Sequence, residues 1–205
     1  MIGGIKIVLE IFIATTIFSI PLGIGVAFLR LSKNKAAEYI TGFYIWIMRG
    51  TPLLLQMMFL YYGLPIISQK LVFNQMTIAI FAFIVNYAAY YAEIFRSGFI
   101  SIDKGQFEAA HVMGFDKFTM YRRIILPQVF KVVLPSVSNE LINLVKDTSL
   151  VYILGLNDLF RMAIIESNRD VSFMPFVYIA IIYLVMTGVL TKILSRLENK
   201  YAYYN

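Results

Sequence analysis

Apolar side chains fill five long runs of this chain, and short polar segments separate them. The runs extend over about residues 5–30, 41–66, 77–99, 128–152 and 174–195. Each run is long enough for a helix of roughly 20 residues, which crosses about 30 Å of hydrocarbon. A helix suits that setting because it satisfies its own backbone polar groups. The pattern predicts an all-α, polytopic membrane protein with five transmembrane helices in a single domain over residues 1–205.

Composition supports this interpretation. Hydrophobic residues make up 60% of the chain and charged residues 15%, and the mean hydropathy is +0.74. A soluble domain carries about 25% charged residues. No small-residue cleavage site ends the first run, so we interpret it as a retained span and not as a signal peptide. The chain has no cysteine, which excludes disulfides, thiolate catalysis and cysteine-rich metal sites.

Basic residues cluster at the ends of the apolar runs. The net charge is +6, but the distribution is the one that membrane topology requires, so we expect no nucleic-acid partner. One side of the membrane receives most of the basic residues near these ends, namely Lys33, Lys35, Lys104, Lys117, Arg122, Arg123, Lys192, Arg196 and Lys200. The positive-inside rule places these residues in the cytoplasm. The amino terminus is then outside and the carboxyl terminus cytoplasmic.

The fourth run carries a polar face. Ser136, Glu140, Asn143 and Asp147 recur at spacings of three and four, and Asn139 and Lys146 flank them. At about 1.5 Å per residue, Glu140 lies roughly 20 Å from the cytoplasmic end of the run, close to the bilayer midplane. Charged groups at that depth are costly and usually mark a pathway. The face predicts the wall of a translocation cavity; the alternative is a polar seam between helices, with Lys146 neutralising Glu140 or Asp147.

Other polar residues interrupt the second and third runs. Pro52 lacks a backbone N–H, so Gly50-Thr51-Pro52 predicts a kink or an unwound turn. Gln56, one turn further, either contacts a substrate or makes an interhelical hydrogen bond. Glu93 and Arg96 are placed for an intrahelical pair, and the alternative is that Glu93 contacts a substrate. Arg49 is either a gate or an anchor at the membrane surface, and the sequence does not choose between these roles.

The segment 103–125 predicts a small helix between the third and fourth runs. Asp103 can cap its start, Gln106 follows in a capping-box spacing, and Gly114 can end it. Ala109 and Ala110 keep the helix backbone close to the surface, which suits docking into a groove of another protein. Positive-inside topology places this loop in the cytoplasm.

The chain has none of the motifs that carry chemistry. It contains no phosphate-binding P-loop, no His-Glu metal spacing and no nucleophile elbow. We therefore expect no catalytic residue, no metal site and no cofactor in this chain. If ATP drives a process here, another polypeptide must bind the nucleotide.

The spacing Glu108-Ala109-Ala110-x3-Gly114-x9-Ile124-x-Leu126-Pro127 closely resembles the cytoplasmic loop of ABC importer permeases. Further segments are similar to the permease class for polar amino acids, which includes histidine, glutamine and arginine importers. They are Arg49-Gly50-Thr51-Pro52-Leu53, Tyr90-x-x-Glu93-x-x-Arg96, Gly105-Gln106 and Lys146-Asp147-Thr148-Ser149-Leu150. The resemblance extends from about residue 3 to residue 195.

This resemblance implies the ABC importer permease fold with a cytoplasmic coupling helix, in a prokaryotic cytoplasmic (inner) membrane. It implies a second permease subunit, either a copy or a homologue, and an extracytoplasmic solute-binding protein. Two ATPase subunits would bind ATP and Mg²⁺ and drive alternating access. Glu108, Ala109, Ala110 and Gly114 would couple to the ATPase.

The substrate implied by the resemblance is a polar amino acid. We expect Glu140, Asn139, Asn143 and Gln56 to contact it, and the carboxylate of Glu140 favours arginine, lysine or histidine. The remaining polar face would also suit glutamine or another neutral amino acid. An ion-driven secondary transporter would need no coupling loop and would often show inverted repeats, which we do not find. A purely structural subunit would give no reason for Glu140.

Overall fold

The computed structural model describes residues 2–201, and every regular element within that range is helical. The α-helices are α1 Ile2–Arg30, α2 Lys35–Gly50, α3 Leu53–Met58, α4 Leu64–Ile67, α5 Gln75–Ile100, α6 Lys104–Val112, α7 Lys117–Met120, α8 Leu126–Asp147, α9 Leu159–Asp170 and α10 Met174–Tyr201. Wider π-helical turns cover Phe59–Gly63 and Tyr121–Ile125, and a tighter 3₁₀ segment covers Thr148–Leu154. The predicted all-α class is confirmed.

Within residues 2–201, three helices are long and apolar enough to cross a membrane unbroken, namely α1, α5 and α10. Two further crossings are possible if bent pairs of helices count as single spans. The helices on either side of the break at residues 51–52 meet at 105°, and the helical path Lys117–Leu154 meets α9 at 57°. The predicted interruption at Pro52 is therefore confirmed, and it is a sharp break instead of a gentle kink.

α1 and α5 form the centre of the structure and lie side by side in the same direction. A Cβ atom on Gly23 would lie 2.6 Å from Cβ of Tyr91 and 2.9 Å from the carbonyl oxygen of Ala88. Further along, the rings of Phe28 and Phe99 lie 5.0 Å apart. Small residues at such a contact let two backbones approach closely, which is typical of helix pairs in membranes.

The predicted fourth span is part of a longer helical path. It begins at Lys117, before the predicted start at residue 128, and continues through the wide turn Tyr121–Ile125 into α8. The wide turn accommodates Pro127, which has no N–H for the carbonyl four residues earlier. The loop 103–125 is thus joined to the polar face of α8 by continuous helix.

α10 packs against α8 and α9 and keeps a large apolar surface on the outside. Leu184 is 71% exposed, and Val185 and Val189 on the same helix are also exposed. This outer face is the one expected of a helix in contact with lipid.

Candidate functional site

A cavity of about 370 Å³ lies where the end of α2 meets α5 and α8. Its polar lining comes from three different helices and includes both signs of charge. The polar lining residues are Arg49, Tyr90, Glu93, Ser97, Ser101, Ser136 and Glu140. Two of them, Ser136 and Glu140, belong to the polar face predicted from the sequence.

The cavity contains a cation and an anion that belong to different helices. Arg49 lies with its guanidinium carbon 5.3 Å from the ring centre of Tyr90, a cation–π arrangement. Glu140 is half-buried and interacts electrostatically with Arg49. The structure therefore assigns Arg49, whose role the sequence left open, to the same cavity as Glu140.

The remaining polar residues of α8 point elsewhere. Asn139, Asn143 and Lys146 are exposed and do not line this cavity. The prediction that Asn139 and Asn143 share one site with Glu140 is therefore not met within a single chain. Their exposure follows from helix geometry, because each sits on the part of α8 that no other helix of this chain covers.

The two carboxylates of α8 differ in their partners. Asp147 accepts a 2.7 Å hydrogen bond from the hydroxyl of Tyr87 on α5. Ion pairs within residues 2–201 are Lys6–Glu10, Arg30–Glu38, Glu93–Arg96 and Arg169–Asp170. Lys146 forms no ion pair with Glu140 or Asp147 in that range, although its charge acts on Asp147. Glu140 thus faces the cavity without an ion pair, while Asp147 is engaged by the protein.

Glu93 and Arg96 form the predicted intrahelical pair. Nε of Arg96 donates to Oε2 of Glu93 at 3.0 Å, and Nη2 contacts the other carboxylate oxygen. Glu93 also lines the cavity, close to the end of α5. Because this carboxylate is already paired within its own helix, Glu140 is the anionic group of the cavity that is free to meet a ligand.

Gln56 makes the interhelical hydrogen bond that was the alternative to substrate contact. Its Nε2 donates to the carbonyl oxygen of Met48 at 3.0 Å and to Oγ1 of Thr51 at 2.8 Å. Its Oε1 accepts from Nδ2 of Asn86 at 3.0 Å. The amide is used at both ends inside the chain and does not line the polar cavity, so the structure favours the interhelical alternative, and substrate contact of Gln56 stays a prediction.

Asn86 was missed by the sequence analysis. It is 3% exposed and lies in the middle of α5 among apolar residues. A single asparagine inside an apolar span is costly unless its amide is satisfied, and that cost is the signal that could have identified it.

The helix predicted over the loop 103–125 is present as α6. Oδ1 of Asp103 accepts from the N–H of Gly105 at 2.7 Å and caps its start. Gly114 has φ +75°, and the N–H of Phe115 donates to the carbonyl of Ala110 at 3.1 Å, which closes the helix in a Schellman motif. The predicted start and stop residues are both confirmed.

Gln106 and Ala110 of α6 contact other parts of this chain, contrary to expectation. The side-chain oxygen of Gln106 accepts from Nε2 of Gln128 on α8 at 3.3 Å and ties the two helices together. Ala110 is fully buried, on the side where Phe107 packs edge-to-face against Tyr121 at 6.2 Å. Ala110 therefore supports the loop from within and is not available for docking.

The outward side of the loop carries an exposed surface, which we call the loop surface. It consists of Glu108, Ala109, Val112, Met113 and Gly114. Val112 is 87% exposed and Met113 beside it 63%, so two adjacent apolar side chains form a small exposed patch of the kind that marks protein contacts.

The next short helix, α7, is fixed by a charged cap. Oδ2 of Asp116 accepts from the N–H groups of Phe118 at 3.0 Å and Thr119 at 3.2 Å. Hydrogen bonding from the side chain and backbone of Thr119 lowers the pKa of Asp116. The cap therefore remains charged at neutral pH, and the loop enters the helical path to α8 in a fixed direction.

Comparison with known proteins gives consistent matches over nearly the whole chain. The family model for the binding-protein-dependent transport system inner membrane component matches residues 19–202. A putative glutamine transport system permease protein, GlnP, of Rickettsia conorii is 36% identical over 202 residues, which cover 98% of this chain and 92% of that protein. The arginine transport system permease protein ArtQ of Bacillus subtilis is 37% identical over 203 residues, covering 98% and 91% of the two chains.

Solved structures show the same architecture. An amino acid ABC transporter crystallised with histidines superposes with a TM-score of 0.87 at 33% identity, covering 97% of this chain and 92% of that one. The MetNI methionine ABC transporter in an inward-facing conformation gives a TM-score of 0.82 at 15% identity, covering 98% of this chain and 95% of the other, which is a likeness of fold alone.

Proposed function

The chain belongs to the family of binding-protein-dependent transport system inner membrane components, and we propose that it imports polar amino acids, basic ones in particular. As a member of that family it is a multi-pass permease subunit of an ABC importer in the inner membrane, and not the ATPase. Membership implies an ATPase and a binding protein as partners. The substrate, the route of coupling and the arrangement of subunits are the parts that we infer.

The single observation that carries the substrate proposal is that Arg49 and Glu140 both line one cavity. A basic amino acid carries a carboxylate and a cationic side chain, so a site with one cation and one anion complements it. Arg49 would bind the carboxylate, since a guanidinium matches that group in two hydrogen bonds. Glu140 would bind the cationic side chain, which is a guanidinium, an ammonium or an imidazolium group.

A second candidate, glutamine, is favoured by the printed names of the GlnP relatives. A glutamine amide would satisfy the polar lining without using the charge of Glu140. The basic substrates use that charge, and a half-buried carboxylate without an ion pair gains most from a cationic ligand. For this reason we place arginine, lysine and histidine before glutamine.

Transport would proceed by alternating access, with the loop surface docked on the ATPase in the cytoplasm. The helical path from Lys117 to Leu154 connects that loop to the cavity wall without interruption. A movement of the loop would therefore be carried along α8 to Glu140. Glu108, Ala109 and Gly114 would make the contact, while Ala110 holds the loop against the path.

A second permease subunit would complete the site. Asn139, Asn143 and Lys146 are exposed on α8, and polar side chains at membrane depth normally face protein or water. A second copy or a homologue packed against α8 would cover these residues and enclose the cavity. Asn139 and Asn143 would then contact the substrate across the subunit boundary.

Uptake into liposomes tests the proposal. The chain is reconstituted with its ATPase and its binding protein, and uptake of labelled arginine, histidine and glutamine is measured with ATP and with a non-hydrolysable analogue. We expect ATP-dependent uptake, faster for the basic amino acids, that persists when ionophores remove ion gradients. Uptake that collapses with the gradient would indicate a secondary transporter, and glutamine uptake alone would favour the second candidate.

A further inference from the structure

The break between α2 and α3 leaves the last carbonyls of α2 without helical partners, and that of Met48 is one of them. In an α-helix the carbonyl of Met48 would accept from the N–H of residue 52. That residue is Pro52, which has no N–H. An unsatisfied carbonyl at this depth in a membrane is costly, so a substitute donor is required.

Two side-chain amides supply the missing donor. Nε2 of Gln56 lies 3.0 Å from the carbonyl oxygen of Met48, and Nδ2 of Asn86 lies 2.9 Å from it. Asn86 also donates to Oε1 of Gln56 at 3.0 Å, so both of its amide hydrogens are used. The two amides and this carbonyl form a closed set of hydrogen bonds, which we call the amide brace.

The hydroxyl of Thr51 completes the end of α2. Its Oγ1 donates to the carbonyl oxygen of Ile47 at 2.8 Å and accepts from Nε2 of Gln56 at 2.8 Å. The chain then turns by 105° into α3. The carbonyls of Ile47 and Met48 therefore keep hydrogen-bond partners at the break, and the donors come from both sides of the turn and from α5.

The amide brace fixes the residue that enters the cavity. Arg49 directly follows Met48 in the last turn of α2, and its guanidinium lies over the ring of Tyr90. Asn86 and Tyr90 are one turn apart on α5, on the same face. Two residues on one face of α5 thus contact the end of α2. Asn86 donates to the backbone carbonyl of Met48, and the ring of Tyr90 lies under the guanidinium of Arg49.

We propose that Asn86 and Gln56 are positioning residues for Arg49: they replace the N–H that Pro52 lacks, keep the second span broken, and so hold the guanidinium in the substrate cavity. Neither residue contacts the substrate. This role rests on the proposed function of the cavity. It explains why two amides lie in an otherwise apolar contact between α2, α3 and α5.

The first test compares single and double substitutions in the reconstituted transporter. Arg49→Ala should raise the half-saturating amino-acid concentration, and Asn86→Leu should raise it by about tenfold, the size expected when a buried carbonyl loses a donor. On the Arg49→Ala background, Asn86→Leu should add little, because the residue it positions is gone. Full additivity of the two effects overturns the positioning role.

The second test measures the break directly. The chain has no cysteine, so Lys35→Cys and Ile67→Cys, both at exposed positions, allow a spin-label distance across the broken span. Labelled chain is diluted with unlabelled chain so that only the distance within one chain is recorded. We expect one narrow distance in the parent and a broadened distribution with Asn86→Leu. An unchanged distribution overturns the proposal.

Further variants are controls that distinguish a positioning role from simple misfolding. Gln56→Glu keeps the oxygen that accepts from Asn86 but removes the donor to Met48, and it should reproduce part of both effects. Ser138→Ala, a buried change on α8 away from the break, should leave uptake and distance unchanged. If Arg49→Ala does not alter uptake, the cavity assignment itself is wrong. If it does, while Asn86→Leu is additive or the distance is unmoved, only the positioning role is wrong.

Discussion

Tyr87 donates a 2.7 Å hydrogen bond to the carboxylate of Asp147, which joins the middle of α5 to the end of α8. The contact gives the two carboxylates of α8 different roles. Asp147 is held by the protein, whereas Glu140, two turns earlier, faces the cavity without an ion pair among the described residues. A hydrogen bond to a charged acceptor is among the stronger ones that a helix contact can make. Asp147 is therefore part of the framework, and Glu140 is available to a ligand.

Tyr87→Phe should destabilise the protein without changing its selectivity. The substitution leaves a half-buried carboxylate without its donor, which costs roughly 1.5–3 kcal/mol. The midpoint of thermal unfolding in detergent should fall, while the ratio of arginine to glutamine uptake should stay the same. A changed ratio would mean that Asp147 also meets the substrate.

Glu140→Gln should separate basic from neutral substrates. The change keeps the size of the side chain and removes its charge, so uptake of arginine, lysine and histidine should fall by about tenfold or more relative to glutamine. Rates measured side by side in liposomes give this ratio. Glu10→Gln makes the same change at an exposed position outside the cavity and should have little effect. Equal losses for all four amino acids would assign Glu140 a structural role.

Glu108→Arg should uncouple ATP hydrolysis from uptake. Glu108 is exposed on the loop surface, so the substitution should leave folding and membrane insertion intact while it reverses the charge presented to the ATPase. Hydrolysis and uptake are measured on the same preparation, and the number of ATP molecules used per amino acid should rise. Gly114→Trp should act in the same direction, and more strongly, because a side chain at φ +75° also strains the helix end. Normal coupling in both variants would rule out this docking surface.

Cysteines introduced singly at Ser136, Asn139 and Asn143 should react with water-soluble thiol reagents. The chain contains no cysteine of its own, so each label reports one position. We expect reactivity that changes with the nucleotide state of the ATPase, because alternating access opens the cavity to one side at a time. Leu184→Cys on the apolar face of α10 should stay unreactive with charged reagents. Protection of all three positions in every state would indicate a sealed seam between helices.

The parts of the fold that depend on local sequence were predictable. Runs of apolar residues must become helices in a membrane, and Asp103 and Gly114 act on backbone groups within a few positions of themselves. The interruption at Pro52 follows from one missing N–H. In each case the cause and the effect lie within about one helical turn.

The parts that depend on distant partners were not predictable. Gln56 looked free because its partner, Asn86, is 30 residues away on another helix. Ala110 looked exposed because nothing in its neighbours indicates that the loop folds back over it. Arg49 could not be assigned for the same reason, since its position over Tyr90 is set by how α2 ends against α5. Packing between helices determines the contacts of all three residues.

The close approach at Gly23 determines which parts of the molecule can move during a transport cycle. A single added methyl group there would collide with Tyr91 and with the backbone at Ala88, so α1 and α5 already touch along their length and have no slack between them. The pair would behave as a rigid unit, and the other helices would move relative to it. Displacement would then fall to the bend between Leu154 and α9, because the bend at residues 51–52 is held to α5 by the amide brace. Gly23→Ala, at this fixed contact and not at a bend, would be expected to disturb every state of the cycle equally.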